Sequence, residues 1–213
     1  MVLCIYCIVI INGFCMMSFE MLASKIIAPY YGNALPIWGT IISLFMVSLA
    51  IGAMIGGVIS QRRANMNTLL CMLLLLALTS IYFNIFHHAI LDFNHMLSVS
   101  NNAKMTLSLI ALFAPFTIVS GMITPYAIQI LTNTGKQSGF TAGLVYFIST
   151  LACALGTIAT SFYLVVLFSI DTIIMLNTSA LLTVTLLTVL FLKRHWFYSD
   201  GSSLKNPKTG TIS

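Results

Sequence analysis

The chain has 213 residues and a formal net charge of +5, but only 6% of its residues are charged and 59% are hydrophobic. A soluble domain carries about 25% charged side chains, and a mean hydropathy of +1.03 points the same way. Soluble enzymes, nucleic-acid-binding domains and disordered regulators are therefore excluded, despite an isoelectric point near 9.0.

The positive charge then speaks to topology. Six helices of about 20–27 residues would consume nearly the whole length. The expected fold is all-α, a polytopic helical membrane bundle of six transmembrane helices over residues 1–194. Residues 195–213 are expected to form a disordered, polar cytoplasmic tail, which leaves no room for a soluble catalytic domain.

The first apolar run, Val2 to Ala28, stops at Pro29, and Tyr30-Tyr31-Gly32-Asn33 with Pro36 supplies turn chemistry. No basic residue precedes Lys25, and the run passes any reasonable cleavage point, so it is read as a retained first span and not a signal peptide. The second helix is expected from Ile37 to Ser60 and the third from Asn67 to Ile90, followed by a polar loop containing Asp92, His95, Asn101, Asn102 and Lys104. A fourth segment, Met105 to Leu131, contains Pro115, Gly121 and Pro125 and is expected to kink or break near its end. The fifth runs from Gly139 to Phe168, Asp171 marks a turn, and the sixth covers Thr172 to Leu192.

Lysine and arginine near helix ends are retained on the cytoplasmic side. With six spans, Arg62, Arg63, Lys136, Lys193, Arg194, Lys205 and Lys208 share one side, while Lys25 and Lys104 lie on the other. Both termini are therefore expected in the cytoplasm; the resemblance given below implies the inner (plasma) membrane of a bacterium. Trp196, Phe197, Tyr198, Tyr30, Tyr31 and Trp38 fall where interfacial aromatics belong. Ala28-Pro29-Tyr30 is echoed by Thr124-Pro125-Tyr126, and three spans per half would make the halves inverted in topology.

Glu20 is the one acidic side chain inside an expected span. A charge there costs on the order of 2–3 kcal/mol on insertion scales, so Glu20 should face protein or water and not lipid. Gly13, Met17, Glu20 and Ser24 share a helical face, and the fifth helix offers Tyr146, Thr150, Cys153 and Thr157 as a polar stripe. Glu20, Tyr146 and Thr150 are thus a candidate intramembrane polar site. Two readings stay open: a cation or proton site, or a carboxyl that pins the first helix to its neighbours. Lys25 lies about 140° around the helix from Glu20 and is better placed to snorkel outward.

Ser48, Gly52, Gly56 and Ser60 recur every four residues in the second helix, and the fifth carries Ala152, Gly156 and Thr160 with Gly139 and Gly143. Small residues at this spacing let backbones approach where lipid gives no hydrophobic drive, so Gly52, Gly56 and Gly156 are read as helix-packing positions and the second and fifth helices as the closest packed. His87, His88, Asp92 and His95 are the one metal-like cluster, and His88, Asp92 and His95 would share a face if the third helix extended that far. Phe93 and Asn94 favour an irregular loop, and no metal, cofactor or catalytic residue is assigned. Cys4, Cys7, Cys15, Cys71 and Cys153 all lie in apolar runs and are read as small hydrophobes, not disulfides.

Two stretches resemble a known family. Gly13 to Arg63 contains Phe19-Glu20-Met21-Leu22-Ala23-Ser24-Lys25, Ala28-Pro29-Tyr30-Tyr31-Gly32, Ile37-Trp38-Gly39 and Gly52-Ala53-Met54-Ile55-Gly56-Gly57. Ser120 to Phe168 contains Gly121, Thr124-Pro125-Tyr126-Ala127, Gly139, Gly143, Tyr146, Ser149-Thr150, Gly156-Thr157 and Ser161-Phe162-Tyr163. Both are similar to the N-terminal membrane domain of bacterial spermidine synthase-like proteins, in which a transporter-like region is fused to an aminopropyltransferase.

The resemblance implies a membrane module, and the departures limit it. No glycine-rich synthase loop follows, Asp171 and Asp200 are the only acids after Asp92, and Gln129 stands where the family usually has arginine. Aminopropyl transfer is not expected. The implied function is an anchor or scaffold in the lipid bilayer, for another copy of itself as a homo-oligomer or for a separately encoded cytoplasmic synthase-like enzyme, with no nucleic-acid partner. The alternative is a small transporter of a cationic metabolite such as a polyamine, with Glu20 as cation ligand.

Overall fold

A computed structural model describes residues 2–32, 34–62, 64–96, 100–133 and 138–203. Among these residues the chain forms helices and no strand: α1 Val2–Tyr31, α2 Leu35–Arg62, α3 Met66–Met96, α4 Asn101–Thr132, α5 Ser138–Ile158, a π-helical turn Ala159–Leu164, the short α6 Val165–Leu167, and α7 Ile170–Ser203. Six stretches are long and apolar enough to cross a membrane, the fifth running through α5, the π turn and α6. Arg63, Lys136, Lys205 and Lys208, on which part of the expected orientation rests, lie outside the described residues. So do the side chains of Arg62, His95, Lys193, Arg194, Trp196, Phe197 and Tyr198.

Several expected boundaries move outward. α1 carries Pro29 in its last turn and ends where Gly32, at φ 86°, donates its N–H to the Ala28 carbonyl at 2.9 Å. Only glycine adopts this left-handed closing conformation without strain. α3 continues to Met96, so Asp92 and His95 are helical and not in a loop. α4 runs as one helix through Pro115 and Pro125, so of the expected kink or break the break does not occur. Each proline removes one backbone donor, and a helix held on several sides by neighbours tolerates that loss. α7 passes Leu192 to Ser203, so the first part of the expected tail is helical.

α1 and α4 form the inside of the bundle, and α2 and α5 flank it with much of their surface exposed. The shared core includes Phe19, Phe83, Phe113 and Phe116, with the Phe19 and Phe116 ring centroids 4.3 Å apart. α2 crosses α4 and α5 crosses α1, each pair parallel and in backbone contact through glycines. A Cβ on Gly52 would collide with the Ile118 carbonyl and one on Gly56 with the Met122 carbonyl, while one on Gly121 would sit 2.8 Å from the Leu49 oxygen. At the other crossing a Cβ on Gly156 would sit 2.5 Å from the Phe14 oxygen, and one on Gly13 would sit 2.9 Å from the Ser149 oxygen. The small-residue stripes of α2 and α5 are both used, each on a different partner.

The two crossings use matching positions. Gly13 and Phe14 of α1 play the parts of Gly121 and Met122 of α4, and Leu49, Ala53 and Gly56 of α2 correspond to Ser149, Cys153 and Gly156 of α5. The remaining packing obeys the same exchange: α3 lies on α4 as α7 lies on α1, and α3 meets α7 across the centre. Each half holds three spans, so corresponding helices run in opposite senses, the arrangement of an inverted repeat. The matching positions of the two crossings do not run through the Pro-Tyr echo. Pro125 corresponds to Met17, whereas Pro29 lies in the last turn of α1.

Candidate functional site

Under this exchange Asn12 corresponds to Ser120, and the two are bonded to each other. The Asn12 Nδ2 donates to the Ser120 carbonyl at 3.1 Å, and the Ser120 hydroxyl donates to Asn12 Oδ1 at 2.9 Å. Both side chains are buried. A contact between equivalent residues lies on the axis that relates them, so this pair marks the centre of the inverted repeat. A polar pair in such a place is satisfied only by its partner, which fixes the depth at which α1 crosses α4.

A cavity of about 220 Å³ opens beside the pair. The lining is mostly apolar: Leu49 and Ala53 of α2 with Met16 and Met17 of α1 stand on one side, and Ser149, Tyr146 and Cys153 of α5 with Thr124 of α4 on the other. Pro125, also in the lining, has no N–H, so the carbonyl of Gly121 loses its helical donor where Gly121 itself borders the cavity. Among the described residues no aspartate, glutamate, lysine, arginine or histidine lines it.

The sequence-derived trio is not gathered into one site. Tyr146 lines the axial cavity and is 57% exposed, Thr150 is exposed, and Glu20 is half-buried outside the lining. Gly13 lies level with Ser149 to Cys153, so at 1.5 Å rise per residue Glu20 stands about 10 Å further along the bundle and Tyr146 about 8 Å the other way. Cys153 is within electrostatic reach of the Glu20 carboxylate. Thr157 turns its hydroxyl back to the Cys153 carbonyl at 3.0 Å. Gly52, Gly56 and Gly156 are buried against backbone as the packing reading expects. All five cysteines are free thiols.

The histidine cluster is rearranged. Asp92 accepts a hydrogen bond from the Tyr30 hydroxyl at 3.0 Å, while His87 and His88 converge on Asp171 at the start of α7.

Sequence reasoning passed over Asn12, Ser120 and Asp171. A signal for the first two was present: Ile10-Ile11-Asn12-Gly13-Phe14 and Ile118-Val119-Ser120-Gly121-Met122 share the order apolar, apolar, small polar, glycine, apolar. Asp171 carried no such signal, because its partners are remote in sequence.

No family model, curated protein or solved structure matches the chain.

Proposed function

We propose that this protein is a multi-pass membrane module of transporter type that takes up a small uncharged solute in the cavity on its pseudo-two-fold axis. The observation that supports this reading is the placement of the cavity at the interface of two inverted halves. Secondary transporters built from inverted repeats hold their substrates near the bilayer midplane in such a place, because rocking one half against the other opens the site to either side in turn.

The lining chooses the solute class. The lining is mostly apolar with a few hydroxyl, thiol and amide side chains, and among the described residues it carries no charged group. A volume of about 220 Å³ is below the ~300–1,000 Å³ of drug-sized pockets, which favours a small polyol, amide or alcohol. A multiply charged amine would need a carboxylate in the cavity, and Glu20 lies outside it. The stretches that resemble the spermidine synthase-like membrane domain, Gly13 to Arg63 and Ser120 to Phe168, contain the residues named in the cavity lining except Asn12. The excess of basic residues on one side supports an orientation with both ends in the cytoplasm.

Proteoliposomes containing the protein should swell in glycerol, urea or short amide gradients faster than empty vesicles, and Ser149→Leu, which fills the α5 side of the cavity, should abolish the difference. Equal swelling with and without protein for every solute in the panel would remove the transport reading. The anchoring reading, with a second copy or a cytoplasmic synthase-like partner, would then stand in its place.

A further inference from the structure

The geometry points to a divalent transition-metal site formed by His87, His88 and Asp171, away from the axial cavity and independent of the transport reading. It lies where the C-terminal part of α3 meets the first turn of α7, and all three residues line a second cavity of about 260 Å³. His87 Nε2 is 3.2 Å and His88 Nε2 is 3.6 Å from the same oxygen, Asp171 Oδ1. The three ligand atoms lie within 4.8 Å of one another. Ligands held at 2.0–2.1 Å by a tetrahedral zinc-type ion are about 3.3 Å apart, so both nitrogen–oxygen separations fit one ion between them.

The hydrogen bonding of His87 argues that something cationic belongs there. Its Nδ1 lies 3.2 Å from the Phe83 carbonyl and 3.2 Å from the Asn84 carbonyl, and carbonyl oxygens only accept. Nδ1 must therefore carry the proton, so in the neutral ring Nε2 presents a lone pair. That lone pair faces a carboxylate oxygen at 3.2 Å, an arrangement of two acceptors that needs a cation between them. A second proton on His87 would supply it for one histidine; a metal ion supplies it for both at once. Backbone carbonyls holding the far nitrogen of a ligating histidine are the usual outer support of such sites. His87 is buried, whereas His88 and Asp171 have side-chain exposures of 69% and 62%, which leaves an open approach for the ion and a position for water or another ligand.

The surrounding groups allow this. Lys25 lines the same cavity, and the ion pairs found among the described residues at Asp171 are with the two histidines. Asp92, one turn beyond His88, is engaged by Tyr30. A bound ion would clip α3 to α7 at one end of the bundle, far from the Asn12–Ser120 crossing.

Cobalt(II) and zinc(II) titrated into the tag-free, detergent-purified full chain test this directly. One equivalent of cobalt should bind with the visible absorption of low-coordinate nitrogen and oxygen ligation, zinc should displace it, and the melting temperature should rise. Asp171→Asn and His88→Ala alter exposed side chains and should leave the fold intact while weakening binding by more than the ~10–100-fold that loss of an outer support costs. His95→Ala and His195→Ala should bind as wild type. Absence of saturable cobalt binding, or binding unchanged in both Asp171→Asn and His88→Ala, would overturn the site and leave a protonated His87 paired with Asp171.

Discussion

The α2–α4 and α1–α5 crossings are the same structure made twice with different side chains. At the first, Gly52, Gly56 and Gly121 all lie on partner backbone; at the second, the place of Gly52 is taken by Ala152, whose Cβ lies 3.4 Å from where a Cβ on Gly13 would be. The first crossing is therefore tighter by one methyl group. The chemistry differs in the opposite sense. α2 gives the cavity Leu49 and Ala53, while α5 gives it Ser149 and Cys153 in the equivalent places and adds Tyr146. α5 also continues into a π-helical turn, where the buried Thr160 donates to Ser18 at 2.9 Å, and Ser18 in turn accepts from Asn177 at 2.8 Å. The lesson is a division of labour: the α2 side holds the bundle together, and the α5 side carries polar groups and the irregular helix that so often marks a functional position.

The strongest way to break this comparison is to spoil the tight crossing. Gly52→Leu forces a side chain into the Ile118 backbone, where no rotamer change gives relief. We expect a loss of about 3 kcal/mol or more, beyond ordinary overpacking because the obstacle is backbone. Reversible unfolding in mixed micelles should show it as loss of the folded form, while Gly57→Leu, with nothing within 4 Å, should change little. Equal tolerance of both substitutions would mean that α2 and α4 do not touch in this way.

A smaller effect is expected at the axis. Asn12→Ala removes both bonds of the Asn12–Ser120 pair and leaves the Ser120 hydroxyl buried without that partner, at a cost of about 1–2 kcal/mol. Ser120→Ala removes only one of the bonds, since Asn12 still reaches the backbone carbonyl, and should cost less. The double variant should be no worse than Asn12→Ala alone. Additive losses in that cycle would show that the two residues are not coupled and that the axis lies elsewhere.

How much of this was legible in the sequence differs by level. The six spans follow from apolar run length alone, because a bilayer admits few other solutions for such a composition. Gly52, Gly56 and Gly156 were legible as packing residues because spacing by four places them on one helix face; their partners were not, since a stripe of small residues fits any neighbour. The site was read only in part. Glu20 drew the eye as a charge, and the α5 stripe seemed to belong with it, but helix register sets Glu20 beyond the level of Tyr146. The cavity borders instead on Asn12 and Ser120, two modest polar residues whose matching sequence surroundings gain meaning once they are seen bonded to each other. Asp171 reads as a helix N-terminal acid, and only the packing of α7 on α3 brings it to His87 and His88.

The finest test of the comparison exchanges its one-methyl difference. Ala152→Gly gives the α1–α5 crossing the small residue that the α2–α4 crossing has at Gly52. The substitution removes a Cβ packed near Gly13 and loosens the helix backbone, which together cost about 0.5–1 kcal/mol. Closer approach of α1 and α5 recovers part of that loss, so the net effect should be the smallest of the series. The reverse exchange, Gly52→Ala, adds the same methyl group against the Ile118 carbonyl and should cost about 1–3 kcal/mol. The inequality is the prediction: measured in one micelle system, Gly52→Ala must destabilise more than Ala152→Gly. If the two are equal, the crossings are equally tight, and the holding role assigned to the α2 side must come from its flanking contacts and not from the glycine itself.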